Sequence, residues 1–450
     1  MILMVKQRKA IVDHQSKDLK KLLIAVGVIT ALKLILIPNI QQSLVGMHSG
    51  AWLGSDGETY LAASEAITKE GFFSKSTLLI YFAPGYSIFL YILHLFTGKL
   101  LFLFTSLLQT LLYSYSVFFF GKQLLKTKFN KIVFPLGFIL LLNPTLSLSS
   151  LVIGYESLVA SFFLFTLGFL IADLTSKESK LPYSSLLISA VLLGLTVWLS
   201  PRMILPGFLI ILTWLYLKNK FKKNLLSSLV VVLIFLSFQG SIIMRNEIAT
   251  GNFISQSSVG NLAIMGAGPY ASGTYTNNDT GVICDVEGLD ETLSSNKKLN
   301  CAINWYKNNP GQGLLLLWKK SYYLWSPWFG PLAGGTMARN PYLNFHPVKA
   351  SITTQSQLDF VMGLAGQIIS WIFILGSWFL LILGFRTSLK LGGLEKVIGT
   401  ISLMIIISSW LTVLIVQGDH RYRIPFMPFS IFLQLYGYKV LRKVKFLSWS

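Results

Sequence analysis

A chain of 450 residues that is 53% hydrophobic and only 12% charged has too little charge for a soluble protein of its size. Apolar runs of about 20 residues recur along it, the length that crosses a bilayer core, and the alternation of an outer-membrane barrel is missing. The net charge of +20 does not signal nucleic acid, because the basic residues lie in short clusters between apolar runs.

Those clusters are Lys6–Lys9 with Lys17–Lys21, Lys122–Lys131, Lys177–Lys180, Lys218–Lys223, Arg386–Lys396 and Lys439–Lys445. They fit cytoplasmic loops under the positive-inside rule. Ten crossings are predicted, at 21–38, 99–120, 132–149, 151–174, 183–200, 202–217, 225–244, 359–385, 397–416 and 424–440. An all-α polytopic membrane protein follows, in the plasma (inner) membrane, with both termini cytoplasmic. No small-residue cleavage site follows the first run, so it is read as a retained span and not a secretory signal.

The run "IYFAPGYSIFLYILHLF" (80–96) is assigned to the interface. From Pro84 to Phe96 a helix rises only about 20 Å, against a core of roughly 30 Å. Charge parity decides the matter. With 80–96 in the interface, the inner side holds 23 Lys/Arg and 5 Asp/Glu, leaving 15 and 13 elsewhere. If 80–96 crossed, the clusters at 122–131 and 218–223 would move outside, against the rule.

Three regions result: a transmembrane module 1–244 with a first outer loop 39–98, an outer region 245–357, and terminal helices 358–450. The outer region turns aromatic at Trp305, Trp318, Tyr322, Tyr323, Trp325 and Trp328. Rings at this density predict a layer at the lipid headgroups, with stacking on sugar faces as their other use. Cys284 and Cys301 both fall in this region. They pair if it faces an oxidising compartment, and two free thiols fit the sequence equally well. Asn278-Asp279-Thr280 is a glycosylation sequon of meaning only in a eukaryotic host.

Within the first loop, "GSDGETYLAASEA" (54–66) reads as a helix start. Ser55 and Glu58 form a capping box, and Asp56 complements the helix dipole. Tyr60, Ala63 and Ile67 share one face, Glu58, Glu65 and Lys69 the other, and Gly71 stops the helix. Capping explains every residue here. Polar side chains at the outer ends of other spans add a second use: Glu156 after Tyr155, Arg202 in "WLSPRMILPGF", Arg245, and Asp419, His420, Arg421 and Arg423 in "GDHRYRIPFMPF". A lone Arg245 fits a headgroup anchor equally well. Guanidinium forks suit phosphate.

In this order the pieces resemble the GT-C superfamily of integral membrane glycosyltransferases. The likeness is to the bacterial family 39-like group related to protein O-mannosyltransferases and aminoarabinose transferases. It is carried by Asp56, Tyr60, Ala62 and Ala63; by "APGYSIFLYILHLFTG", "NPTLSLSSLVIGYESL" and "SPRMILPG"; and by "MRNEIATGNFISQSSVGNLAIMGAGPYASG", "NNPGQGLLLLWKKSYYLWSP" and "HRYRIPFMP". The resemblance implies a GT-C-like bundle of about ten transmembrane helices, with juxtamembrane helices in the first outer loop. It implies transfer of a sugar from a polyprenyl-phosphate carrier to a lipid, glycan or protein acceptor, with inversion. Asp56, with Glu58 beside it, is then the catalytic base that accepts the proton of, or orients, the acceptor hydroxyl. Arg202, Arg421, Arg423 and His420 would bind the donor phosphate, and Tyr60, Glu156 and Arg245 support them.

The chain departs from the family where Gly57 separates Asp56 from Glu58 and where Phe82-Ala83 precede Pro84-Gly85. Both departures argue against a protein acceptor. A divalent metal is not favoured: Asp56 and Glu58 offer two ligands, and no His or further acid has metal-site spacing. The competing classes are a flippase for lipid-linked sugars, which usually shows repeats and deep charges, whereas here no repeat is seen and the ionisable residues lie at span ends apart from Lys33 and Asp359, and a non-catalytic partner in polysaccharide assembly.

Overall fold

The computed structural model describes residues 2–40, 50–51, 55–175, 184–217, 225–274, 281–326 and 363–447. Among them every helix or strand is a helix. In chain order these are α1 (Ile2–Leu36), α2 (Ser55–Glu70), α3 (Leu78–Tyr81), α4 (Gly85–Thr97), α5 (Leu101–Leu124), α6 (Val133–Leu142), α7 (Pro144–Ser149), α8 (Glu156–Thr175) and α9 (Ser184–Leu199). They continue as α10 (Ile204–Leu217), α11 (Leu225–Thr250), α12 (Ser258–Met265), α13 (Glu291–Asn308), α14 (Pro310–Trp325), α15 (Gly363–Leu391), α16 (Gly393–Ile415) and α17 (Met427–Leu447).

Five stretches are long and apolar enough to cross a membrane: Gly85–Leu124, Glu156–Thr175, Leu226–Thr250, Ser370–Leu391 and Gly393–Ile415. The first contains two helices, because α4 ends at Gly98, whose φ of +50° suits glycine, and a 3-10 turn (Gly98–Leu100) intervenes. Exposed Leu32 and Ile35 on α1, Leu229 and Leu233 on α11, and Ile372 and Phe379 on α15 present apolar surface to lipid. The protein is an all-α polytopic membrane protein.

One expected crossing is broken. Residues 132–149 do not form a single span: α6 has 10 residues and stops before Asn143. The Asn143 Oδ1 atom accepts from the Leu146 amide at 3.1 Å, and Pro144 starts α7. Asparagine followed by proline is a helix start in its own right, so the chain restarts instead of continuing.

Helix α8 is the most enclosed long helix, packed between α5 and α9 with α16 and α17 behind it. Helices α15 and α17 approach backbone to backbone. A Cβ on Gly384 would lie 2.0 Å from the Leu433 carbonyl oxygen, and one on Gly437 would lie 2.1 Å from that of Leu380. Small residues allow this separation where lipid supplies no hydrophobic drive between helices.

The short helices gather at one end of the bundle. Ala63 and Ile67 of α2 pack with Leu79 and with Ile88 of α4. The Tyr86 hydroxyl accepts from the Gly154 amide at 2.8 Å and donates to Gln109 Oε1 at 3.3 Å, fixing α4 to α5 and to the entry of α8. At the same end α12 and α13 pack together, and Cys284 and Cys301 form a disulfide. The buried Lys320 of α14 donates to the Leu414 carbonyl at 2.8 Å, closing the last turn of α16. Trp325 is a core residue and not part of a headgroup layer: it is 1% exposed and packs on Trp378, Trp410 and Phe426. Trp318 is half-exposed and stacks on Trp371, while Trp328 lies outside the described residues.

Candidate active site

Asp56 stands in the first turn of α2, and the buried face of that helix is Tyr60, Ala63 and Ile67, as its periodicity requires. Ser55 is the first helical residue, and its side chain lies outside the described residues. Glu58 is exposed on the other side and does not line the cavity described below. Two positions along a helix are about 200° apart, so Asp56 and Glu58 do not act as a pair.

Opposite α2 lies the 3-10 turn His420–Arg423. Asp419 starts it by accepting from the Arg421 amide at 3.0 Å. The Arg421 guanidinium forms an ion pair with Asp56 across 365 residues of sequence. It also reaches Asp419 Oδ2 at 3.9 Å and donates to the Tyr422 hydroxyl at 3.4 Å. Burial opposes the Arg421 charge, but Asp56 above all, with Tyr422, Asp419 and Glu156, outweighs it and holds the pKa well above the ordinary value.

Arg202 comes from a third place, the 3-10 turn Pro201–Met203 between α9 and α10. Its guanidinium stacks 4.0 Å from the centre of the Tyr422 ring and donates to the Tyr155 hydroxyl at 3.0 Å. Its Nε has no hydrogen-bond partner among the described residues. Tyr60 is 3% exposed. Burial first, then the neighbouring Tyr155, Asp56 and Glu156, push its pKa well above that of a free phenol, with Arg421 opposing.

Asp56, Tyr60, Tyr155, Arg202, Arg421 and Tyr422 face one cavity of about 340 Å³. Gln239, Ser255, Gln256 and Ser258 add neutral polar groups, and Phe82, Leu199, Ile204, Leu262, Ile415 and Val416 give apolar walls. Glu156 is not in the lining. It is 2% exposed, close enough to act electrostatically on Arg421, and its Oε1 has no partner among the described residues.

Two of the sequence-selected arginines lie elsewhere. Arg245 is buried, donating to the carbonyls of Phe72 (3.1 Å) and Ser74 and to Asn246 Oδ1 (3.0 Å). Asn246 in turn donates to the Ile254 and Ser255 carbonyls at 2.8 and 3.3 Å. This Arg-Asn pair therefore holds two loops in place, the second of which carries lining residues. Arg423 points away from Asp56: it donates to the Trp325 carbonyl at 2.6 Å and lines a different groove. The side chain of His420 lies outside the described residues.

Gln239, Ser255, Gln256 and Ser258 were not selected from sequence, although a lone glutamine in the apolar run of α11 is itself a signal. No group of three or more metal-ligand side chains occurs among the described residues. Asp56 is engaged by Arg421, and Glu58 is exposed and outside the cavity lining.

Fold and site together define a polytopic helical membrane protein with an acid–arginine cavity at one end of its bundle. No protein-family model matches the chain, and no curated protein matches it. Two of the similar solved structures are from Archaeoglobus fulgidus. One is the archaeal oligosaccharyltransferase AglB from Archaeoglobus fulgidus in complex with an inhibitory peptide and a dolichol-phosphate, at 13% identity and a TM-score of 0.47, covering 96% of this chain and 51% of that one. The other is the Archaeoglobus fulgidus oligosaccharyltransferase in its apo form, at 12% identity and a TM-score of 0.45, covering 94% and 50%. The chain spans about half the length of each.

Proposed function

We propose that the protein is a glycosyltransferase that takes a sugar from a polyprenyl-phosphate carrier and passes it to an acceptor hydroxyl at the outer face of the membrane. One observation carries this reading: a carboxylate and two guanidinium groups from three distant parts of the chain face a single cavity. The apolar walls suit the lipid part of a donor and exclude water.

The donor phosphate competes with Asp56 for Arg421 and takes the free Nε edge of Arg202. Asp56, released from its ion pair, then accepts the proton of the acceptor hydroxyl. The acceptor oxygen bonds to the anomeric carbon from the face opposite the phosphate, and the carbon–oxygen bond to phosphate breaks. The bonding pair leaves on the phosphate, where both arginines stabilise it, and the configuration inverts. Tyr60 stays a neutral phenol beside Asp56. Glu156 holds Arg421 from behind. The disulfide supports an oxidising compartment for this end of the molecule, with the basic loops and both termini cytoplasmic in the plasma (inner) membrane.

Membranes containing the protein, given a panel of polyprenyl-phosphate sugars labelled in the sugar, test the reading. Wild type is expected to release free carrier and label an acceptor. Asp56→Asn, at equal membrane abundance, is expected to lose transfer by about 100-fold or more. Absence of carrier release with every donor, or full activity in Asp56→Asn, overturns the reading.

A further inference from the structure

A second concavity, of about 270 Å³, lies on the far side of the 420–423 turn from Asp56, between α6, α15 and α17. Arg423 forms one end of it. Along α17 its lining runs from Met427 to Tyr438, which spans about 17 Å at helical rise. That is close to the depth of one leaflet's hydrocarbon, about 15 Å. Phe373, Leu380, Ile431 and Leu435 make the groove apolar along its length, and Phe373 and Tyr438 at its edge are exposed toward lipid.

The Arg423 end is chemically different. Arg423 is 3% exposed, and its Nη1 bond to the Trp325 carbonyl fixes the plane of the guanidinium. Its Nε has no partner among the described residues, and none of the residues lining the groove is acidic. Burial lowers its pKa to about 10, with no carboxylate among the described residues offsetting it. A buried, unneutralised cation at a membrane boundary is costly. An anion that brings its own apolar tail into the adjoining groove offsets that cost.

We propose that this groove is a binding site for a phosphate-headed membrane lipid, separate from the catalytic cavity: the phosphate on Arg423, one chain along α15 and α17. The site does not depend on the glycosyltransferase reading. Arg421 and Arg423, in one turn, then serve one anion each.

The test uses the purified full chain in detergent, with retained lipid counted by native mass spectrometry. The probes are phosphatidylglycerol, polyprenyl phosphate, diacylglycerol and inorganic phosphate. Wild type is expected to retain a phosphate lipid and not diacylglycerol, and the lipid whose retention falls in Arg423→Gln identifies the occupant as bilayer lipid or carrier. Arg423→Gln is expected to weaken retention about tenfold or more. Ser377→Phe, which fills the groove and leaves the arginine, is expected to do the same, so the result does not rest on one variant. Equal retention of diacylglycerol, unchanged retention in both groove variants, or competition by inorganic phosphate alone as strong as by lipid overturns the proposal.

Discussion

Arg421 and Arg423 are two residues apart, and at the three residues per turn of a 3-10 helix that is two-thirds of a circle. Their side chains therefore leave the turn in different directions, one to Asp56 and the other to the Trp325 carbonyl. The same geometry separates Asp56 from Glu58 on α2. Glu58→Gln is accordingly expected to keep transfer near the wild-type rate, measured beside Asp56→Asn. Tyr60 gives a pH prediction. Its pKa is raised above that of free tyrosine, so it stays protonated throughout the working range. Tyr60→Phe is thus expected to leave the shape of the pH–rate profile unchanged from about pH 6 to pH 9. A lost or shifted limb would show that Tyr60 titrates during the reaction.

Among the elements, the α15–α17 contact shows how this bundle is held. Two glycines face carbonyl oxygens on the opposing helix, and a backbone atom cannot swing aside as a side chain can. Gly384→Ile or Gly437→Ile is expected to cost about 1–3 kcal/mol or more and to lower the thermal-shift midpoint in detergent. Gly376→Ala, on the same helix with open space at its Cβ, is the control expected to leave the midpoint unchanged. Helix α4 shows the complementary case. Its 13 residues dock through Gly85, where a Cβ would lie 2.1 Å from the Trp198 carbonyl oxygen at the end of α9. That contact seats α4, and α2 on top of it, at the mouth of the cavity.

At the scale of the molecule, the Cys284–Cys301 disulfide ties the segment before α13 to that helix, which packs on α12. The bond joins residues 17 apart, a loop whose closure is worth about 3 kcal/mol in the chain-entropy picture. In intact cells, a membrane-impermeant maleimide is expected to label Cys284 and Cys301 only after an impermeant reductant. Labelling without reductant would show free thiols, and labelling only after permeabilisation would invert the proposed orientation.

Much of the fold is local and was therefore readable. Run length and apolar composition mark the long helices, and the capping pattern with the Tyr60–Ala63–Ile67 spacing orients α2. The break at Asn143-Pro144 was equally local, but apolar composition hid it. The disulfide was one of two open alternatives, since pairing needs a geometry that spacing alone does not give. The site divides the same way. The sequence by itself determined which residues are chemically able to serve, because charge and position at a helix end are properties of single segments. Only the tertiary structure decided which of them meet: Arg421 with Asp56, Arg202 with Tyr155 and Tyr422, Arg423 with Trp325, Arg245 with the 72–74 loop. Each of these contacts joins segments far apart in the chain, and their direction depends on how whole helices pack, which no local pattern of residues encodes.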